Sequence, residues 1–170
     1  YNSKELFPEP TPNDVEKYSK LIEHDSANTF AYFLRANACA RQKKYRESIA
    51  DLEKVLEIDP QNPMAINNLG TAYMCQGEIS QAFDYFQSAI QIDPNYYDAF
   101  HNRALALMDL NKIDQAIEDL SKAINLKPDF WSAYRHRGIA YHLIGDEKAS
   151  YKDYITAKNM EKPARSKFDD

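Results

Sequence analysis

Three prolines stand at equal intervals in this chain, Pro60, Pro94 and Pro128, each 34 residues from the next. The same string returns around them, as EIDPQNPMAINNLGTAY at 57–73, QIDPNYYDAFHNRALAL at 91–107 and NLKPDFWSAYRHRGIAY at 125–141. A fixed period between about 20 and 50 residues is the mark of stacked units. One such unit cannot bury its own apolar face, so neighbours must share a core and the array must close its two ends.

The content of one period follows from 63–96. Met64, Ile66, Leu69, Ala72 and Tyr73 recur at helical spacing, and Gly77 interrupts them. Ile79, Ala82, Phe83, Phe86, Ala89, Ile90 and Ile92 then recur at helical spacing before Asp93 and Pro94. The spacing predicts helix, turn, helix and stop, because proline lacks the amide hydrogen and clashes with the preceding turn. At the turn the four units carry Lys43, Gly77, Asn111 and Gly145; glycine and asparagine tolerate the left-handed conformation past a helix end, and lysine fits least. Small residues recur at Ala36, Gly70, Ala104 and Gly138, and at Ser48, Ala82, Ala116 and Ser150, where helices must approach. Tyr32, Ile66, Phe100 and Tyr134, with Leu52, Phe86, Leu120 and Tyr154, are expected to fill the space between.

These residues resemble the tetratricopeptide repeat. Its pattern of an aromatic, Leu-Gly, Tyr, Ala, Phe, Ala and Pro is met best by Ile66, Leu69-Gly70, Tyr73, Ala82, Phe86, Ala89 and Pro94. The resemblance spans four units, 29–62, 63–96, 97–130 and 131–164, and implies an all-α, right-handed superhelical solenoid of antiparallel helix pairs. With a capping helix within 11–28, started by Thr11, Pro12 and Asp14, that makes about nine helices. The first ten residues, with LFPEPTP running on to Pro12, read as an extended arm, and 165–170 as a mobile tail. The last helix, with Lys148, Lys152, Asp153, Lys158 and Glu161, is expected to act as its own polar cap.

Composition excludes several functions. Net charge is −5 overall and ranges only from −3 to +2 across the capping segment and the four units, so no basic track for nucleic acid exists. No apolar run is long enough to span a bilayer. Cys39 and Cys75 fall in apolar periodic segments and read as packing residues in a reducing compartment, which favours the cytoplasm; export with a removed signal peptide is the alternative. Phosphate-binding glycine loops, nucleophile elbows and metal-ligand spacings are absent from the sequence, so the chain is read as a non-enzyme needing no cofactor or metal.

Arg35, Arg103 and Arg137 share one repeat position, and an acid follows each by 16 residues: Asp51, Asp119 and Asp153. The unit without the arginine has Leu69 there, and Tyr85 in place of the acid. Positions that switch together predict three ion pairs between the helices of a unit, of surface type and small energy.

In the family that the chain resembles, first helices line a concave groove that holds an extended peptide. Asn68, Asn102 and His136 occupy one position on that face, and Asn37, Asn67, His101 and Arg135 neighbour it. Phe30, Phe33, Met64, Met74, Leu105, Met108 and Leu143 supply apolar surface. An amide offers the donor and the acceptor that a peptide bond requires. The expected function is therefore a protein-interaction scaffold or adaptor binding a partner's peptide segment. The rivals are the repeat portion of a larger enzyme, such as a glycosyltransferase, and a self-assembling module. Family members that clamp the acidic C-terminal tail of heat-shock chaperones use two lysines, two asparagines and an arginine. The matching positions here hold Phe33, Asn37, Asn68, Asp98 and Asn102, so all three cations are missing and that tail is not an expected partner.

Overall fold

The computed structural model describes residues 14–161 and, among them, nine helices and no strand. They are α1 (Asp14–His24), α2 (Thr29–Arg41), α3 (Tyr45–Ile58), α4 (Pro63–Cys75), α5 (Ile79–Ile92), α6 (Tyr97–Asp109), α7 (Ile113–Leu126), α8 (Trp131–Leu143) and α9 (Glu147–Glu161). First helices are all 13 residues long, and their starts keep the 34-residue period of the sequence. The expected arm (1–10), the helix-start residues Thr11 and Pro12, and the tail (165–170) lie outside the described residues. The chain divides into two compact units between Tyr85 and Phe86.

Each helix pair turns on one left-handed residue. Lys43, Gly77, Asn111 and Gly145 have φ of 60°, 86°, 58° and 82°. Around Gly77 the amide of Glu78 donates to the Tyr73 carbonyl at 3.0 Å and that of Gly77 to Met74 at 3.0 Å, which satisfies carbonyls the helix end leaves open. Lys43 makes the same turn despite its side chain, at a cost of roughly 1–2 kcal/mol. Asn28 and Asn62 cap α2 and α4, accepting from the amides of Ala31 and Ala65 at 2.9 and 3.0 Å.

In the first unit the core forms where one pair lends its face to the next. Ala36, Leu52 and Val55 of α2 and α3 cluster with Ala65 and Leu69 of α4, flanked by Tyr32, Phe33, Ile49, Leu56, Tyr73 and Tyr85. A fully buried leucine contributes roughly 1.5–3 kcal/mol. In the second unit Ala104, Leu120 and Ala123 are wholly buried. Gly138 lets α8 close on α9, because a β-carbon there would lie 3.2 Å from the Ser150 carbonyl oxygen.

The three ion pairs form as expected, but they are not surface pairs. Arg35 reaches Asp51 at 2.6 Å, Arg103 reaches Asp119 at 2.7 Å and Arg137 reaches Asp153 at 2.6 Å, each with two nitrogens on two oxygens. The acids are 5%, 7% and 3% exposed. Arg35 also donates to Ser19 of α1 at 3.1 Å, and Arg137 to Ser121 of α7 at 2.9 Å. Ser19 and Ser121 are three periods apart, so α1 sits in the register of a second helix. In the unit without the pair Leu69 is 1% exposed and Tyr85 stacks on Tyr73, ring centroids 5.3 Å apart.

Two expectations fail at the C-terminal end and at a cysteine. Tyr154 is 56% and Tyr151 69% exposed, because no described helix packs over α9; its outer face carries these rings among the exposed Lys148, Lys152, Lys158 and Glu161, so the polar cap has an aromatic patch. Cys39 is buried, but Cys75, the last residue of α4, is exposed, so it is not a packing residue.

Removing one partner of a buried pair strands the other, at about 3–5 kcal/mol. Arg103→Ala is expected to lower stability by about 3 kcal/mol in urea unfolding. The double variant Arg103→Leu with Asp119→Tyr copies the Leu69 and Tyr85 solution and is expected to recover most of that loss. Additive losses would contradict the paired reading.

Candidate functional site

The first helices place their polar residues in two clusters, one in each unit. In the first unit Asn68 Nδ2 of α4 donates to Asn37 Oδ1 of α2 at 2.9 Å, and Asn67 Nδ2 donates to Asn68 Oδ1 at 3.3 Å. This amide chain ties two first helices together. A niche of about 420 Å³ opens beside it, lined by Asn37, Arg41, Tyr45, Asn68, Thr71 and Cys75 among others. The Tyr45 hydroxyl and Cys75 thiol interact at its edge, and that contact with burial raises the tyrosine pKa. Asn67 is 3% exposed, so it orients Asn68 from below rather than facing the niche.

The second unit replaces amides by imidazoles. His101 Nε2 of α6 lies 2.9 Å from His136 Nδ1 of α8, and His101 Nδ1 lies 3.3 Å from Asn102 Oδ1. Because Asn102 Oδ1 only accepts, Nδ1 of His101 carries the proton and Nε2 is left to accept. It accepts from His136 Nδ1–H, with the Ser132 hydroxyl 3.2 Å away. Phe130 closes the pair on one side, its ring 5.0 Å from that of His101 and 5.2 Å from Tyr97. His101 is 8% exposed, and burial first, then His136, lowers its pKa to about 4. Burial, aided by Arg135, also lowers that of His136.

The other residues expected on this face are distributed unevenly. Phe33, Met74, Leu105 and Met108 are half-buried. Phe30, Met64 and Leu143 are 65%, 50% and 58% exposed. Arg135 is exposed and belongs to a cleft on the last helix pair. Sequence reasoning missed Ser132, whose place four residues before His136 on one helix face could have signalled it, and the edge residues Arg41 and Tyr45. No group of histidine, cysteine, aspartate and glutamate able to hold a metal occurs among the described residues. No described helix is long and apolar enough to cross a membrane.

The imidazole pair makes stability depend on pH. Both rings are neutral in the fold, whereas the unfolded chain takes up protons near pH 6.5. Stabilisation is thus complete above about pH 6.5 and is lost as the pH falls toward about 4. His101→Asn, which installs the residue found one period earlier, is expected to remove on the order of 2 kcal/mol of the loss between pH 7.5 and 5. Urea unfolding of both proteins at the two pH values tests this; equal losses would contradict it.

Family models for the tetratricopeptide repeat match 63–96 and 85–118, and a TPR repeat model matches 36–77 and 104–145. No curated protein matches the chain. Among solved structures, a crystal structure of MamA is 27% identical with a TM-score of 0.73, over 86% of each chain. YrrB, described as a TPR protein with an unusual peptide-binding site, is 22% identical with a TM-score of 0.68, over 88% of this chain and 79% of its own. The first TPR of Spaghetti (RPAP3), bound to the HSP90 peptide SRMEEVD, is 24% identical with a TM-score of 0.66, over 71% of this chain and 95% of its own. With its helix pairs, left-handed turns and shared cores in the register of these models, the chain belongs to the tetratricopeptide repeat family and has that family's helical solenoid fold.

Proposed function

We propose that this chain is a non-catalytic protein-interaction module that holds an extended segment of a partner protein against its first helices. The observation that carries this reading is the amide chain beside an open niche in the first unit. Asn68 spends one N–H on Asn37 and one lone pair on Asn67, which leaves one donor and one acceptor for a peptide bond. Thr71 adds a hydroxyl at the niche, and the exposed Phe30 and Met64 add adaptable apolar surface on the same helices. Asn102 holds the repeat position of Asn68 in the second unit. The peptide-binding descriptions of YrrB and RPAP3 support the class of function.

Selectivity follows from charge. Where chaperone clamps carry cations, this chain has Phe33, the half-buried Asp98 and Asn102. The peptide SRMEEVD is expected to give no measurable heat on titration at physiological salt, and micromolar affinity would overturn that exclusion.

The binding test uses the partner segment identified by capture on the wild-type chain and mapped with synthetic peptides. Replacing both Asn68 and Asn102 by alanine is expected to weaken that peptide at least tenfold, at roughly 1–3 kcal/mol per lost bond. Asn68→Ala also removes a bond between α4 and α2, so stability falls by about 1 kcal/mol and affinity is read well below the melting temperature. Unchanged affinity in the double variant would rule out these amides as the site.

A further inference from the structure

At the contact between His101 and His136 one proton lies between two nitrogens 2.9 Å apart. It belongs to His136 Nδ1, because His101 Nδ1 keeps its own proton for Asn102 Oδ1, 3.3 Å away. A further proton on His101 has only Nε2 to go to, the atom that faces His136 Nδ1–H. Two N–H groups would then point at each other, and the bond between α6 and α8 would give way to repulsion.

A second set of acceptors stands beside the two rings. The Ser132 hydroxyl lies 3.2 Å from His101 Nε2 and 3.5 Å from His136 Nδ1. Burial is the main cause of the lowered His136 pKa; the Ser132 carbonyl opposes it by accepting from that ring, and Arg135 adds to the lowering. One serine thus offers each ring an oxygen, the hydroxyl to His101 and the carbonyl to His136. A hydroxyl can turn from donor to acceptor, and a bond from a charged donor is about twice as strong as one between neutral groups. No carboxylate steadies a charged ring in its place. Asp98 lies three residues before His101 on α6, but burial raises its own pKa and it acts on neither ring. Lys127 is engaged with the Tyr97 hydroxyl at 3.1 Å, Arg135 is itself a cation, and α7 and α9 put no charged group on either ring.

We propose that His101, His136 and Ser132 form a two-state acid switch in the second unit. When His101 gains a proton, its Nε2 stops accepting from His136 and donates to the Ser132 hydroxyl, while His136 Nδ1–H passes to the Ser132 carbonyl. The imidazole bond from α6 to α8 is thereby given up. His136 holds the repeat position of Asn68 and Asn102, so acid releases there a ring that can itself become a cation. In the first unit the corresponding link, from Asn68 to Asn37, joins two amides and keeps its form in acid. The switch stands on the geometry of the second unit and does not depend on what the first helices bind.

Imidazole nitrogen signals of the isotope-labelled chain, followed by NMR from pH 7.5 down to 4, test this. His101 is expected to gain its proton only toward about pH 4, and the Ser132 and His136 signals to move with it. The side-chain NH2 signals of Asn37 and Asn68 should stay in place. Ser132→Ala removes the oxygen that receives the charged ring and should move the His101 protonation curve down by about half a pH unit or more. Ser132→Thr, which keeps the hydroxyl, should leave the curve where it is. His136→Ala removes the donor that holds the neutral ring and should move the curve up by about as much. A curve unmoved or raised by Ser132→Ala would overturn the proposal, as would protonation of His101 in the parent at about pH 6.5. So would loss of the Asn37 and Asn68 signals in step with those of His101, because the chain would then be unfolding as a whole.

Discussion

A helix pair of this chain has more apolar surface than its two helices can hide from each other. Leu52 and Val55 are fully buried only because Ala65 and Leu69 of the next pair lie on them. That borrowing dictates the rest. Unit length is fixed at one period so that each face meets its complement, and small residues are required wherever axes approach. At Gly138 a β-carbon would stand 3.2 Å from the Ser150 carbonyl oxygen, which is such a point of close approach. The same logic leaves Tyr154 exposed where Leu52 and Leu120 are buried, because no described helix packs on it.

Polar chemistry is then added at positions that the shared core has already fixed. Each arginine of the three buried pairs spans from its own helix to the partner helix. Arg35 and Arg137 also reach a serine on the second helix before them, so those two tie three helices together. Further out on the first helices, the amide chain and the imidazole pair join successive first helices by a bond of 2.9 Å in each unit, with the Ser132 hydroxyl 3.2 Å from His101 as well in the second. One unit thus uses groups that keep their hydrogen-bonding capacity at any pH, and the other uses groups that lose it in acid. Two solutions at one register position show how a repeat array varies its surface without disturbing its core.

Much of the fold was legible because period, proline and small-residue spacing are properties of the backbone arrangement itself. The arginine and acid pairs were legible for a related reason: in the one unit where Leu69 replaces arginine, Tyr85 replaces the acid, and covariation inside a chain reports contact. Their burial was not legible, since spacing says which residues meet and nothing about what covers them. Lys43 shows the same limit, for its left-handed φ is imposed by the turn and not by its own preference. In the candidate site, sequence placed Asn37, Asn67, Asn68, Asn102, His101 and His136 on one face. It could not separate Asn67 and His101, which are buried and orient their neighbours, from Asn68 and Asn102, which are half-exposed. A one-residue step along a helix turns the side chain by about 100°, and only packing decides which of two adjacent residues faces outward. Tyr154 looked like a packing residue because Leu52 and Leu120 at its repeat position are buried; what differs is that no described helix packs on it.

The central claim is that a partner segment lies along the first helices and is gripped there by side-chain amides. Side-chain NH2 resonances of Asn37, Asn68 and Asn102 report this directly in an isotope-labelled protein titrated with the partner's binding segment. The account predicts that these signals shift together with the backbone amides of α2, α4 and α6, while exposed residues of α3 and α7 such as Glu53 and Lys122 stay in place. Saturating partner that leaves the three asparagine side chains unmoved and shifts α3 and α7 instead would contradict it.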